Sequence, residues 1–226
     1  MGAVATKRHI VEAADSLFYE HGFEATAFAD IASAIGISRG NFYYHFRTKD
    51  EILDAVITRR LERTRQLLDS WERETGSARD CLLSFAGMLI ANRTKIMLYG
   101  CPVGSLCLEL AKLDHLALGR ATELFTLFRE WLATQFATLG RGPDADALAM
   151  HLLMRSQGVA TLAAALRDDG FIEREVEAMK AWLDAQCPTA PAAPPADPST
   201  RGDRHVRRHA SLLHQQGTGT EPDAGA

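Results

Sequence analysis

Residues 26–53 read TAFADIASAIGISRGNFYYHFRTKDEIL, and this stretch decides the fold. Gly36 lies between two short helical patterns, where a glycine suits a tight turn. Ser38 precedes the second pattern as a hydroxyl cap, and Thr48 precedes a longer third one. The spacing from Thr48 to Glu51 has the form of a capping box. These signals predict a helix-turn-helix unit.

The short helix after Ser38 is predicted to have two chemically different faces. Phe42 and Phe46 are four residues apart, so they share a face and should pack inward. The residues left facing outward are Arg39, Gly40, Tyr43 and Tyr44, with His45 near the edge. An arginine can donate two hydrogen bonds to guanine, and a tyrosine can contact a base edge. The pattern therefore predicts a helix that enters the major groove of DNA.

Two further residues are predicted to lie beside the DNA backbone. Thr26 is expected to cap the second helix, and Lys49 begins the fourth. A cap hydroxyl, free backbone N–H groups and a cation at helix starts suit phosphate contacts. Basic side chains also outnumber acidic ones in residues 38–60, although the whole chain has a formal charge of -4. The positive charge therefore coincides with the predicted reading helix.

The same stretch resembles the N-terminal signature of TetR-family transcriptional regulators. The shared features are the threonine, D-I-A in the second helix, the G-x-S turn, Y-Y-H-F and the lysine that opens the fourth helix. The resemblance implies that the DNA-contacting positions are Thr26, Ser38, Arg39, Gly40, Tyr43, Tyr44, His45 and Lys49. Ala27 and Phe28 depart from the family pattern, in which smaller or polar residues are frequent. A member of this family is expected to be a homodimeric, cytoplasmic regulator that responds to a small molecule, typically as a repressor.

The remaining sequence predicts an all-α protein. Apolar periodicity and breaks at glycine and proline indicate helices at about 48–74, 81–92, 102–112, 115–139, 143–167 and 172–186. We expect a DNA-binding domain at 1–50 and a helical effector-binding and dimerisation domain at 51–187. Prolines concentrate after residue 187, and such a segment cannot bury enough apolar area to order itself. Residues 188–226 are therefore predicted to be a disordered tail.

The last two helices are predicted to form the dimer interface. Their apolar residues exceed what one flank of a monomer needs, and the family resemblance implies a four-helix bundle made by two subunits. The residues in question are Leu148, Leu152, Leu153, Val159, Leu162, Ala163, Leu166, Val176, Met179, Trp182 and Leu183. About half of them are expected to be ordinary core. A palindromic operator would match the twofold symmetry of such a dimer.

The middle helices are predicted to enclose an apolar inducer. Their methionines and aromatic residues are soft and polarizable, as such a guest requires. The candidates are Met88, Met97, Phe125, Phe128, Trp131, Met150, His151 and Met154. Met97, Cys101, Phe128, Trp131 and His151 are the positions that we assign to the ligand.

Cys101 supports an alternative interpretation. If Pro102 begins a helix, Cys101 is its N-cap, where backbone N–H groups and the helix dipole favour a thiolate. The segment GCPVGSLCLEL also resembles one in a TetR subgroup that includes regulators of efflux. The hypothesis is that Cys101 senses an oxidant or electrophile. The competing interpretation, which we favour, is that Cys101 is a small buried residue at a helix joint.

Other classes of function are less compatible with the sequence. The four cysteines form no C-x-x-C pair, which suggests neither a zinc ribbon nor a disulfide framework and fits reduced thiols in a cytoplasm. The apolar run at 96–108 is too short and too interrupted to span a membrane. A hydrolase built on Cys101 and His151 lacks an acid partner. A purely protein-binding adaptor would not need the cluster from Arg39 to Lys49. We expect no enzyme activity, cofactor or metal.

Overall fold

The computed structural model describes residues 3–168 and 170–186. This part of the chain is helical and contains no strand, which confirms the predicted all-α class. Its helices are α1 Ala3–His21, α2 Phe28–Ala34, α3 Arg39–His45, α4 Lys49–Thr75, α5 Ala78–Ala91, α6 Arg93–Tyr99, α7 Pro102–Lys112, α8 Leu118–Phe136, α9 Ala145–Leu166 and α10 Phe171–Gln186. The predicted tail at 188–226 lies outside the described residues.

The helices α3 and α4 begin at the predicted caps. The Ser38 Oγ accepts a hydrogen bond from the Asn41 N–H at 3.3 Å, and the Thr48 Oγ1 accepts one from the Glu51 N–H at 3.1 Å. The Glu51 carboxylate reaches one residue further back than a capping box requires, because it accepts from the Arg47 N–H at 2.7 Å. Each cap satisfies a backbone donor that the first helical turn leaves free.

Parts of the helix pattern differ from the predicted one. α6 is a helix of 7 residues in a segment where the sequence pattern predicted none. α8 begins at Leu118 and not at His115, because the His115 ring nitrogen Nδ1 accepts a hydrogen bond from the Ala117 N–H at 3.1 Å. Just before it, Asp114 has a left-handed φ of 50°. A side-chain acceptor and a left-handed residue together stop one helix and delay the next.

The buried side chains form two clusters. One joins α5, α8, α9 and α10. The other joins the first three helices to the start of α4, to α7 and to the start of α8. α7 is therefore part of the core of the N-terminal helices, although it lies far from them in sequence. The division of the chain at residue 50 stays a prediction.

Much of the predicted dimer interface is core within the single chain. Seven of the residues proposed for it are buried, namely Leu152, Leu153, Val159, Ala163, Val176, Met179 and Leu183. Their side chains pack against α5 and α8, because α9 and α10 close one side of that cluster. Leu162 and Leu166 remain exposed, as do Met150 and Met154, which we had expected beside the ligand.

Among residues 3–168 and 170–186, no single helix has the length and apolar composition to cross a membrane. One pair, α5 with the continuous segment Arg93–Lys112, passes that test only when both are taken together across a bend of 62°.

Candidate functional site

The short helix α3 is held against the body by Phe42 and by its C-cap residue, Phe46. Phe42 is 1% exposed and Phe46 3% exposed, which confirms their predicted inward orientation. The Phe42 ring lies 5.1 Å from the Phe28 ring of α2. Gly36 supplies the turn between the two helices with a φ of 66°, a conformation that other residues seldom adopt. The local sequence thus determines which side of α3 faces the body and which side faces solvent.

The opposite side of α3 is open to solvent, as predicted. Arg39 and Gly40 are exposed, Tyr43 is 51% exposed and Tyr44 is 78% exposed. His45 is half-buried, with its ring edge 5.1 Å from the Tyr44 ring. Within the described residues, the Arg39 guanidinium and both tyrosine hydroxyls have no hydrogen-bond partner. Free donors of this kind are available to a ligand.

Phe28 has a role that the sequence analysis did not predict. Its ring meets the Tyr43 ring edge to face at 5.6 Å, while it also packs on Phe42. The Tyr43 phenol is therefore supported from one side and directed outward. The departure from the family pattern at Phe28 places an aromatic platform beneath an exposed tyrosine.

The predicted cap role of Thr26 is wrong. Thr26 is 2% exposed, and its hydroxyl donates to the Gly22 carbonyl at 2.7 Å. The N-cap of α2 is Ala27, whose N–H donates to Asp30 Oδ2 at 2.7 Å. Because the hydroxyl is buried and already bonded, it stabilises the end of α1 and does not face a phosphate in this conformation.

Lys49 is partly committed to the protein itself. Its Nζ donates to the Glu24 carbonyl at 3.0 Å and lies 4.5 Å from the centre of the Phe23 ring. The Glu24 carboxylate is 3.7 Å away. The side chain is 26% exposed, so its remaining donors can still face outward. Lys49 therefore closes the turn between α1 and α2 as well as opening α4.

A carboxylate from α7 holds the same turn. Glu109 accepts hydrogen bonds from the Phe23 N–H at 2.9 Å and from the Glu24 N–H at 2.8 Å. A Cβ at Gly22 would stand 3.0 Å from the Glu109 carboxylate, and Gly22 has a φ of 91°, so glycine fits here on both counts. No sequence signal links Glu109 to residues so distant in the chain. This contact joins α7 directly to the N-terminal helices.

A cavity of about 440 Å³ lies at the other end of α7. Its walls come from α1, α4, α5, α6, α7, α8 and α9. Part of the lining consists of buried apolar and aromatic side chains, among them Phe85, Leu89, Ile96, Leu124 and Phe128. The size and the lining are typical of a site for a small organic molecule.

The cavity contains only part of the predicted ligand set. Phe128 and Cys101 line it, and so do Met88 and Phe125. Met97, Trp131 and His151 do not line this cavity, so their contact with a ligand stays a prediction. Trp131 instead packs 5.7 Å from the Trp71 ring and donates through Nε1 to Glu72 at 2.7 Å. The His151 ring packs 4.7 Å from the Trp182 ring.

Polar groups in the cavity wall are mostly bonded to the protein. Arg60 is 8% exposed; its Nε donates to Asp15 Oδ1 at 2.6 Å, and another guanidinium N–H donates to the Pro102 carbonyl at 2.7 Å. The Tyr19 hydroxyl donates to the Gly100 carbonyl at 2.7 Å, and burial raises the pKa of Tyr19 to about 12. These bonds tie α1 and α4 to the start of α7.

Cys101 is the N-cap of α7, as predicted, and its Sγ lies 3.5 Å from the Gly104 N–H. Burial raises the pKa of the neighbouring Cys107 thiol to about 11. His151 does not reach the cavity that Cys101 lines, which argues against a hydrolytic pair. No group of three His, Cys, Asp or Glu side chains in the described part of the chain could hold a metal ion.

Comparison with known proteins identifies what the chain is similar to. Residues 10–56 match the family model described as bacterial regulatory proteins, tetR family. Over 179 residues the chain is 27% identical to an uncharacterized HTH-type transcriptional regulator of Lactococcus lactis, and the match covers 77% of this chain and 91% of that protein. Over 74 residues the chain is 36% identical to the HTH-type transcriptional repressor KstR2 of Mycobacterium tuberculosis. That match covers 30% of this chain and 37% of KstR2.

A solved structure supports the same relationship. The crystal structure of a TetR transcriptional regulator from Legionella pneumophila aligns with a TM-score of 0.70 at 25% identity. The alignment covers 80% of this chain and 97% of that one. The similarity therefore extends beyond the helix-turn-helix segment to the helices that enclose the cavity.

Proposed function

We propose that this chain, which is a transcriptional regulator of the TetR family, acts as a dimeric repressor that a small apolar molecule releases from a palindromic operator. One observation carries the DNA-binding part of the proposal. α3 buries Phe42, its C-cap Phe46 is buried as well, and an arginine and two tyrosines of α3 remain outside with unpaired donors. A regulator with this role performs no catalysis of its own.

Each exposed side chain of α3 has a proposed contact. Arg39 donates a bidentate pair to a guanine, and Tyr43 contacts a base edge or a thymine methyl. Tyr44 and His45 donate to phosphate oxygens, while Ser38 and Gly40 allow the backbone at the start of α3 to come close to the duplex. The outward donors of Lys49 contact the flanking phosphate backbone. We leave Thr26 out of this surface because its hydroxyl is buried.

Replacing Arg39 by alanine should weaken operator binding by about 1 to 3 kcal/mol and relax the base preference at one position. A gel-shift assay with DNA from upstream of the protein's own gene measures both effects, using the original site and single-base variants. Arg65→Ala is the matched control, because Arg65 is an exposed arginine of α4 away from α3. Equal weakening on every sequence would contradict a base-reading role for Arg39.

The dimer is proposed to form through an exposed apolar stripe of α9, which we call the α9 stripe. It consists of Met150, Met154, Leu162 and Leu166, all exposed in the single chain. Gly158 lies in the middle of it and allows a partner helix to come close. α10 also exposes the small residues Ala178, Ala181 and Ala185. Large apolar side chains beside small ones suit helix packing across a twofold axis.

The small size of the DNA-contacting helix α3 is a second argument for a dimer. A helix of 7 residues contacts few base pairs. Specific binding by such units normally uses two of them, one DNA turn apart, about 34–36 Å. The names of relatives such as the repressor KstR2 support repression as the direction of the effect. The thiol-sensing alternative is not favoured, although Cys101 does line the cavity.

Release is proposed to operate through α7. Cys101, Pro102 and Val103 at its start line the cavity, and Glu109 near its end holds the turn before α2. A guest that displaces the start of α7 would therefore change the position of the Glu109 carboxylate. Such a connection by packed, hydrogen-bonded elements is what coupling between two sites requires.

Replacing Glu109 by alanine should loosen the turn between α1 and α2. The Phe23 and Glu24 N–H groups lose their acceptors, so their hydrogen exchange should accelerate by at least about tenfold, as expected for loss of a charge-assisted bond of about 1.5 kcal/mol or more. Exchange measured by NMR on the full chain, residue by residue, tests this. Glu123→Ala on α8 serves as the control, because among the described residues Glu123 pairs only with Arg120, at the surface. Unchanged exchange at both amides would remove Glu109 from the connection.

A further inference from the structure

We propose that the cavity binds an anionic amphiphile, a molecule with an apolar body and one acidic head group, and that Arg63 and Lys95 hold the head group at the cavity mouth. This inference rests on the proposed ligand-responsive function and names the chemistry of the ligand. It follows from how charge is distributed between the two ends of the cavity.

The buried part of the cavity lining, which we call the closed end, offers little to a charged group. Phe85, Leu124 and Phe128 are buried there. The buried Ser156 hydroxyl donates to the Leu153 carbonyl at 2.7 Å. The Arg60 guanidinium is already bonded to Asp15 and to the Pro102 carbonyl. A ligand charge placed at this end would lose its hydration without gaining a partner, so the ligand body must be apolar.

The open end is lined by exposed side chains, which we call the rim. They are Ser16, Glu20, Arg63, Leu67, Asn92 and Lys95. Arg63, Lys95 and Glu20 carry charge, and none of the three forms an ion pair within the described residues. Two free cations against one free acid give the rim a net positive charge. An acidic head group fits this charge, whereas a cationic one meets net repulsion.

The two ends together define an orientation. The apolar body enters the buried end of the cavity, and the head group stays at the rim, where it keeps part of its hydration. Such an arrangement avoids the cost of burying a charge and uses both unpaired cations. Because the rim cations are exposed, their contribution should be modest and should decrease with salt.

Calorimetric titration of the full-length protein with three ten-carbon compounds tests the proposal. Decanoate, decanol and decyltrimethylammonium share an apolar chain and differ in head-group charge. At low salt, decanoate should bind about tenfold more tightly than decanol, and decyltrimethylammonium more weakly than either. From hexanoate to decanoate, each added methylene should strengthen binding by about fourfold if the chain enters the apolar end.

Variants locate the head group. The double change R63Q/K95Q should reduce decanoate binding to the level of decanol and leave decanol unchanged. R65Q, which alters an exposed arginine of the same helix outside the cavity, should leave the preference intact. Equal affinity for all three compounds, tighter binding of the cation, absence of decanoate binding, or a preference for decanoate that survives R63Q/K95Q would overturn the proposal.

A gel-shift assay without any ligand keeps this test separate from the proposed function. The wild type and R63Q/K95Q should bind operator DNA equally, because no residue of α3 lines this cavity. Failure of the wild type to bind operator DNA would refute the regulator proposal itself. Normal operator binding without a head-group preference would refute only the assignment of the ligand.

Discussion

A Leu162→Glu variant should be monomeric in solution and should bind its operator about a hundredfold more weakly than the wild type, or worse. Leu162 is 48% exposed in the single chain and lies within the α9 stripe. In a twofold interface the same residue is present on both subunits, so one substitution places two carboxylates in an apolar contact. Neither has a cation available on the α9 stripe, and burying them costs several kcal/mol.

The loss of affinity follows because a monomer has only one α3. In a dimer, once the first α3 is bound, the second binds DNA at a high effective concentration, and a monomer does not gain this affinity. Analytical ultracentrifugation gives the oligomeric state, and a gel-shift assay gives the affinity. Circular dichroism should show an unchanged fold, because the Leu162 side chain is already partly in solvent in the single chain.

Leu116→Glu is the matched control, since Leu116 is fully exposed at 100% and lies outside α9. This variant should remain dimeric and bind DNA like the wild type. A dimeric Leu162→Glu protein would show that the subunits associate through a different surface. A monomeric wild type that still binds its operator tightly would remove the need for a dimer.

The orientation of α3 could be predicted because it depends on local spacing. Phe42 lies within α3 and Phe46, four residues later, is its C-cap, and both are buried against the body. The caps at Ser38 and Thr48 were also readable, since each bonds to a backbone N–H three residues later. Thr26 misled the prediction because a threonine hydroxyl can bond backward to a carbonyl as readily as forward to an N–H.

Features that depend on distant parts of the chain could not be predicted. The Glu109 carboxylate meets the Phe23 N–H across 86 residues, and nothing near either residue signals the contact. In α9, apolar residues occur on more than one side. The sequence pattern therefore could not distinguish Leu152 and Leu153, which pack inside, from Leu162 and Leu166, which remain exposed. Tertiary packing alone makes this distinction.

The residues that line the cavity could not be predicted for the same reason. Methionine and aromatic side chains suit both a core and a ligand site, so the residue types alone did not separate Phe128 from Trp131. The structure places Trp131 against Trp71 and Phe128 in the cavity wall. Arg60 was overlooked because a lone arginine in a long helix usually faces solvent.

Replacing Arg60 by alanine should lower the free energy of unfolding by about 3 to 5 kcal/mol. Arg60 joins three elements, because it lies on α4 and donates to Asp15 of α1 and to the Pro102 carbonyl at the start of α7. Its side chain is 9% exposed and that of Asp15 18% exposed. Removal of the guanidinium leaves a largely buried carboxylate without its cation and a carbonyl without its donor, and both losses are expensive.

Urea unfolding followed by circular dichroism measures the change, with Arg65→Ala as the control because Arg65 is exposed on the same helix. That control should lose less than about 1 kcal/mol, since surface substitutions seldom cost more. Adding Asp15→Asn to Arg60→Ala should recover part of the stability, because no unpaired charge then remains buried. If Arg60→Ala were no less stable than Arg65→Ala, the ion pair would not stabilise the junction of α1, α4 and α7, and the cavity wall would have to be held by apolar packing alone.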